Sequence, residues 1–282
     1  IPDEDRIKIL ATLNALKQVN PKADHPVLGS TKFYDELSKE TLRFIALLKD
    51  NHFASELITS HPILLDELFI PQYFDRPPKA DEFFAMLQER LLRVDQDDLE
   101  TIMEELRLFK KIMIFRIALS DKAGKLHLMQ ISDALTWLAE AIIRQLIIIA
   151  WRLNEEKYGT PANRTASDPG LAVIGYGKLG GIELGYKSDL DMVFIRQVGD
   201  SMTNGENSVH ESMFYQRLVQ RIMHLSTTKT VGGVLYDLDM RLRPDGDTGV
   251  LISDIESFEK YQHSRAWTWE HQALVRARPV AG

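Results

Sequence analysis

Cysteine is absent from the 282 residues, which excludes disulfides, zinc-thiolate centres and thiol nucleophiles. Long apolar runs are missing too. The longest, Leu146 to Trp151, falls far short of the roughly 18 residues that mark a membrane span. Nor is there an excess of basic charge: the net charge is -7 and the pI about 5.7, which leaves no large electrostatic footprint for nucleic acid. The opening Ile-Pro-Asp-Glu-Asp-Arg lacks the basic and apolar regions of a signal peptide. Together these absences predict a soluble, cytoplasmic protein with neither nucleic acid nor membrane as partner.

What is present fits an ordinary globular chain, 44% hydrophobic and 27% charged. Its length allows one or two domains. It begins at Ile1 rather than Met and stops just after a polar and aromatic cluster, so it is expected to be part of a longer protein.

Up to about Tyr158 the apolar spacing is helical. Leu99, Ile102, Met103, Leu106, Phe109, Met113 and Ile117 form one stripe, with Gly124 as a stop. A second stripe runs from Leu135 to Leu153, with Ser132 or Asp133 as its expected cap and Tyr158-Gly-Thr-Pro161 as its end. Pro62, Pro71, Pro77 and Pro78 punctuate the earlier helical segments, since proline lacks the donor a helix interior needs. The loop-forming segment Gly159 to Gly170 marks the boundary between a helical region, 1–160, and a second domain, 161–282.

Beyond that boundary the periodicity changes. Leu171–Ile174 reads as a buried strand, and Leu190, Met192 and Phe194 alternate with Asp189, Asp191 and Val193 in a second. Met213–Leu225 reads as a helix. After Gly232-Gly233 a third strand is expected, with Asp237, Asp239, Arg241 and Arg243 on one face. Ser253-Asp-Ile-Glu256 matches a capping box opening a further helix. The fold class is therefore α+β: a helical N-terminal layer, then a small mixed sheet flanked by helices.

The segment GYGKLGGIELGYKSDLD, Gly175 to Asp191, begins with the G-x-G-x-x-G pattern of dinucleotide-binding sites. That reading fails on context. Gly181, Gly185 and Tyr186 crowd the place of the long helix such a site requires, and the acids open the next strand instead of ending it. The phosphate-loop pattern fails as well, because Lys178 is not followed by Ser or Thr.

Metal-dependent nucleotidyl transfer accounts for the same residues. Two positions along a strand advance about 6.6 Å and point the same way, so Asp189 and Asp191 can grip one hard cation, and Asp239 from a neighbouring strand can bridge to a second. Two Mg²⁺ ions about 3.5–4 Å apart stabilise the attacking and leaving oxygens of an in-line displacement at phosphorus. Gly180 and Gly181 would let backbone N–H groups approach a triphosphate. Each signal alone has a plainer explanation: a surface D-x-D, a simple turn, an edge-strand charge ladder. Their order along the chain is what favours catalysis.

The Gly175–Asp191 segment, QRIMHLSTTKTVGGVLYDLDMRLRPDG and AWTWEHQALVRARPVAG closely resemble the glutamine synthetase adenylyltransferases, bifunctional adenylyltransferases and deadenylylases of bacterial nitrogen control. The resemblance covers Leu91 to Gly282 and is weaker before it. It implies a nucleotidyltransferase fold in 161–282, and ATP as the donor of AMP to a tyrosine hydroxyl of glutamine synthetase. It also implies two Mg²⁺ ions, and glutamine and the PII signal protein as regulators. By resemblance, Asp189, Asp191 and Asp239 are the metal ligands and catalytic acids, and Gly180, Gly181 and Ser188 the phosphate contacts. Lys178, Arg241 and Arg243 are candidates to offset phosphate charge, with pairing to nearby acids as their other reading.

Leu184-Gly-Tyr186 and the segment Ala266–Leu274 are similar to the adding half of the family rather than the removing half. Trp267, Trp269, Glu270 and His271 are expected to pack, and Arg276 and Arg278 to line the site. Two rivals stand beside this reading: the phosphorolytic, deadenylylating reaction of the same family, and a non-catalytic module that senses a ligand or docks a partner.

Overall fold

The computed structural model describes residues 57, 58, 61, 64 and 76–282. The helical reading before residue 76, with Pro62 and Pro71, lies outside them apart from those four positions. Contacts divide the chain into two compact units, one made of residues 1–77 and 111–131, the other of 78–110 and 132–282. The second unit holds the sheet and takes in helical residues from before the compositional boundary. Among the described residues there are seven α-helices and five strands, an α+β fold.

Three helices come first: α1 (Ala80–Leu91), α2 (Leu99–Lys122) and α3 (Leu128–Tyr158). Pro77 and Pro78 precede α1 in non-helical chain. Asp98 caps α2 by accepting from the Thr101 amide at 3.0 Å, and Gly124 adopts φ 67° just beyond its end. The stripe read in the sequence is buried from Ile102 to Ile117.

The helix of the second stripe, α3, starts earlier than expected. No helix breaker separates Leu128 from Ser132, so the helix propagates back to Leu128 and Ser132 and Asp133 sit inside it. There Gln130 accepts from the His127 amide at 2.9 Å. By length and composition α3 is also apolar enough to cross a bilayer, which a run-length criterion misses because Arg144 and Gln145 interrupt the run. In this fold 78% of its most apolar window is buried, as in a core helix.

The sheet follows as β1 (Leu171–Gly175), β2 (Leu190–Arg196), β3 (Leu238–Asp239), β4 (Ile252–Asp254) and β5 (Arg278–Ala281). Its order is β3-β2-β1-β5, with β4 also paired to β2. The pairs β1/β2 and β1/β5 are antiparallel, whereas β2/β3 and β2/β4 are parallel, so the sheet is mixed. Met192 to Ile195 of β2 are all buried, as befits a central strand covered on both faces.

Between the strands lie α4 (Gly177–Gly180), α5 (Glu211–Thr227), α6 (Ile255–Ser264) and α7 (Thr268–Leu274). Trp151 of α3 meets Phe214 of α5 edge-on, ring centroids 5.0 Å apart, and Asn154 donates to the Phe214 carbonyl at 3.0 Å. Tyr176, Val193, Ile195 and Phe258 form a core cluster, with Leu242, Ala273 and Leu274 packed against it. Arg107 of α2, 1% exposed, donates to the carbonyls of Met103, Leu225, Thr228 and Gly233. It thereby ties α2 to the end of α5 and to the loop that leads into β3.

Two further expectations need correction. The third strand is only two residues long. The amides of Leu235 and Tyr236 donate to Ser226 at the end of α5, and Met240 to Gly246 fold into successive turns, so the chain meets the sheet only at Leu238 and Asp239. The helix after β4 is capped by Asp254, whose carboxylate accepts from the Ser257 amide at 2.8 Å, while Ser253 is buried in β4 and makes no capping box with Glu256.

Candidate active site

The parallel pairing of β2 with β3 puts Asp191 directly opposite Asp239. Asp189 lies just ahead of β2, two residues from Asp191 and on the same side by strand alternation. One carboxylate oxygen from each of the three converges within 4.8 Å. The donor set is all oxygen and three-fold anionic, which fits a hard divalent cation of the Mg²⁺ type that keeps waters and shares a substrate's phosphates.

The three acids differ electrostatically. Burial, followed by the charges of Asp189 and Asp239, raises the Asp191 pKa, with Arg241 and Lys178 acting against the shift. Asp239 moves the other way because Arg241 donates to its carboxylate. The Arg241 guanidinium reaches both oxygens at 2.9–3.0 Å through Nε, and its backbone N–H reaches Oδ1 at 2.9 Å. Arg241 is thus the cation paired with the triad.

Arg243, expected beside it on one strand face, turns inward instead. It is 8% exposed and donates to the carbonyls of Met240 at 2.9 Å and Asp247 at 3.2 Å, bracing the turn after β3. Lys178 is exposed, close enough to act on Asp191. Ser188 accepts from the Gly185 amide at 3.0 Å and so closes the loop that delivers Asp189.

The glycines divide their labour differently from the sequence reading. The amides of Gly180 and Gly181 donate within α4, to Tyr176 at 2.8 Å and Gly177 at 3.1 Å. A Cβ at Gly180 would lie 2.0 Å from the Arg276 carbonyl, so that glycine permits backbone packing. Gly177 is the one against the triad: its φ is 51°, and a Cβ there would lie 2.4 Å from Asp191 Oδ2. In the sequence, Gly177 is marked for this part only by the G-x-G spacing it forms with Gly175.

Arg276 and Arg278 act on the same turn. Arg276 pairs with Glu183, and Arg278 joins Glu140 of α3 to the carbonyls of Leu179 at 3.2 Å and Gly180 at 3.3 Å. Glu270 is buried, accepting from the Tyr261 hydroxyl at 3.0 Å and the Trp267 amide at 2.8 Å, and His271 meets the Gln262 carbonyl at 2.8 Å. Trp267 and Trp269, expected to pack, are 69% and 55% exposed. Their neighbour Glu270 takes the buried side of the short helix, which turns both rings outward.

Three carboxylates brought together on, and just ahead of, adjacent strands of a small mixed sheet, with a glycine turn pressed against one of them, make this a nucleotidyltransferase-like fold. The chain belongs to the glutamate-ammonia ligase adenylyltransferase family, which it matches over residues 42–282. It is 49% identical over 244 residues to the bifunctional glutamine synthetase adenylyltransferase/adenylyl-removing enzyme of Pseudomonas syringae pv. tomato, a match covering 85% of this chain and 25% of that protein. The enzymes of the same description from Idiomarina loihiensis and Vibrio parahaemolyticus are 49% and 46% identical, over 81% and 88% of this chain and 24% and 26% of theirs. The chain therefore spans about a quarter of the length of the curated relatives it matches.

Proposed function

We propose that this chain carries the adenylylating site of such an enzyme: AMP passes from ATP to a tyrosine hydroxyl of glutamine synthetase, and diphosphate is released. The observation that carries this reading is the convergence of Asp189, Asp191 and Asp239 within 4.8 Å. The phenolic oxygen bonds to the α-phosphorus, the bond from that phosphorus to the bridging oxygen breaks, and diphosphate leaves with the electron pair. The phenol has an ordinary pKa of about 10, so its proton must pass to a carboxylate or to water.

Asp189, Asp191 and Asp239 would hold Mg²⁺, as two ions. When bound, such ions neutralise charge on the triphosphate and on the attacking oxygen. The protein positions the reactants, which is most of what phosphoryl chemistry asks of it. Lys178, beside Asp191, offsets phosphate charge on the side of the glycine turn. Arg243 braces the turn after β3, and Arg241 holds Asp239 in place. Glutamine and a PII-type protein are the regulators this reading carries with it.

The relatives are adenylyl-removing enzymes as well as adenylyltransferases, which keeps the reverse direction as a second reading. Leu184-Gly-Tyr186 and the Ala266–Leu274 segment favour addition. One experiment separates the two. Labelled ATP and Mg²⁺ are supplied with unmodified glutamine synthetase, and in parallel phosphate with the adenylylated enzyme, for the natural chain and an Asp189→Asn, Asp191→Asn variant. Acid-dependent labelling of glutamine synthetase supports addition. Acid-dependent release of ADP from the modified enzyme, with no labelling, reverses the assignment.

A further inference from the structure

A cleft of about 390 Å³ lies beside the triad. Asp189 and Asp239 line it, whereas Asp191 does not and instead meets Gly177 of the glycine turn. The volume is at the small end of the roughly 300–1,000 Å³ typical of ligand pockets, with room for one ring-bearing group.

The charge of the cleft selects among occupants. Asp189, Asp237, Asp239 and Asp247 line it against only Arg241 and Arg243. Both arginines are engaged, Arg241 on Asp239 and Arg243 on the carbonyls of Met240 and Asp247. Asp189 and Asp239 would be occupied by Mg²⁺, but Asp237 and Asp247 lie outside the triad and would still repel a polyphosphate seated in the cleft itself. An uncharged ring meets Met223, Leu238 and Met240, the remaining lining residues. Thioethers pack well against aromatic rings and adapt to their shape.

Reaction geometry points the same way. In-line displacement needs the attacking and leaving oxygens on opposite sides of phosphorus. A triphosphate held near Lys178 and the glycine turn approaches the triad at Asp191, which leaves the Asp239 side for the nucleophile. The cleft has Asp239, and not Asp191, in its lining.

We propose that this cleft seats the aromatic ring of the acceptor, with Met223 and Met240 as its apolar wall and the ring's hydroxyl directed at Asp239. The proposal rests on the adenylylating reading above and adds where the acceptor binds. Asp237 also lines the cleft, and its carbonyl accepts from the Leu190 amide at 3.0 Å.

The test uses Met223→Ala and Met223→Leu, since Met223 is only half-buried, with Met240→Leu as a second, volume-conserving probe. Three quantities are measured on folded variants: the KM for unmodified glutamine synthetase, the affinity for ATP, and saturation-transfer NMR of N-acetyltyrosinamide, which needs no turnover. Met223→Ala is expected to raise the acceptor KM about three- to tenfold and to weaken the tyrosinamide signal, with Met223→Leu restoring most of both and ATP affinity unchanged within about twofold. A loss of ATP affinity with an unchanged acceptor KM places the nucleoside in the cleft and overturns the proposal, as does no change in either. If the natural chain transfers no AMP yet binds tyrosinamide through Met223, the adenylylating reading fails and the cleft stands. Neither transfer nor tyrosinamide binding overturns both.

Discussion

Asp191 and Asp239 occupy paired positions on parallel strands, yet their surroundings push them in opposite directions: burial and two neighbouring acids raise Asp191, and Arg241 lowers Asp239. An acid whose ionised form is disfavoured does not stabilise the fold by being charged. Asp191→Asn is therefore expected to melt no lower than the natural chain while losing Mn²⁺ affinity, read by electron paramagnetic resonance, by on the order of 100-fold or more, since even residues behind the ligands cost 10- to 100-fold. A variant that melts well below the natural chain would show that the carboxylate is part of the scaffold.

Gly177→Ala tests the close approach of backbone to ligand. The left-handed φ costs a side-chain-bearing residue about 1–2 kcal/mol, and the new methyl group would collide with the Asp191 carboxylate. A modest drop in melting temperature is expected, together with a loss of Mn²⁺ affinity larger than that drop would explain. Gly180→Ala should do the reverse, damaging stability first, because its methyl group meets the Arg276 backbone.

Arg107 donates to four carbonyls from a position 1% exposed. Burial lowers its pKa, with Glu104 opposing, but not enough to make it anything other than a cation. Arg107→Met leaves the carbonyls of Leu225 and Thr228 at the end of α5 without their donor, while the Gly233 carbonyl keeps the Thr230 amide. A loss of about 3 kcal/mol or more in urea unfolding is expected. Less than about 1 kcal/mol would mean that water replaces the guanidinium.

Asp254 supplies the pH-dependent case. Burial pushes its pKa up, but the hydrogen bonds from the Ser257 amide and hydroxyl outweigh it, and the folded value falls below the ordinary 3.8. Because the folded pKa is depressed, the stabilisation is present above the unfolded value and lost as pH falls through the folded one. Asp254→Ala should cost about 1 kcal/mol at pH 7, and the difference from the natural chain should shrink as the pH drops below about 4. A gap that persists unchanged at pH 2 would assign the effect to packing.

Much of the fold was legible because it depends on local rules. The helical stripe from Ile102 to Ile117, the strands at Leu171 and Leu190 and the helix around Phe214 all follow from apolar period. The rule misled where a distant partner intervened. The alternation from Val234 to Leu242 reads as one long strand, but Ser226 on α5 captures the amides of Leu235 and Tyr236 before the sheet can. Trp267 and Trp269 read as core by composition, and the burial of Glu270 against Tyr261 reversed the helix face.

The sequence by itself determined the residue types of the candidate site, Asp189 and Asp191 through strand alternation and Asp239 through the longer segment around it, and those segments carried the family resemblance. Tertiary structure decided what those residues do for one another. That Asp239 faces Asp191, that Arg241 folds back on Asp239 while Arg243 braces a turn, and that Gly177 rather than Gly180 lies against the carboxylates depend on strand register and on contacts between residues far apart in the chain. Spacing along a strand sets which side chains share a face, but only packing sets which strands are neighbours, and a metal or acceptor site is built between neighbours.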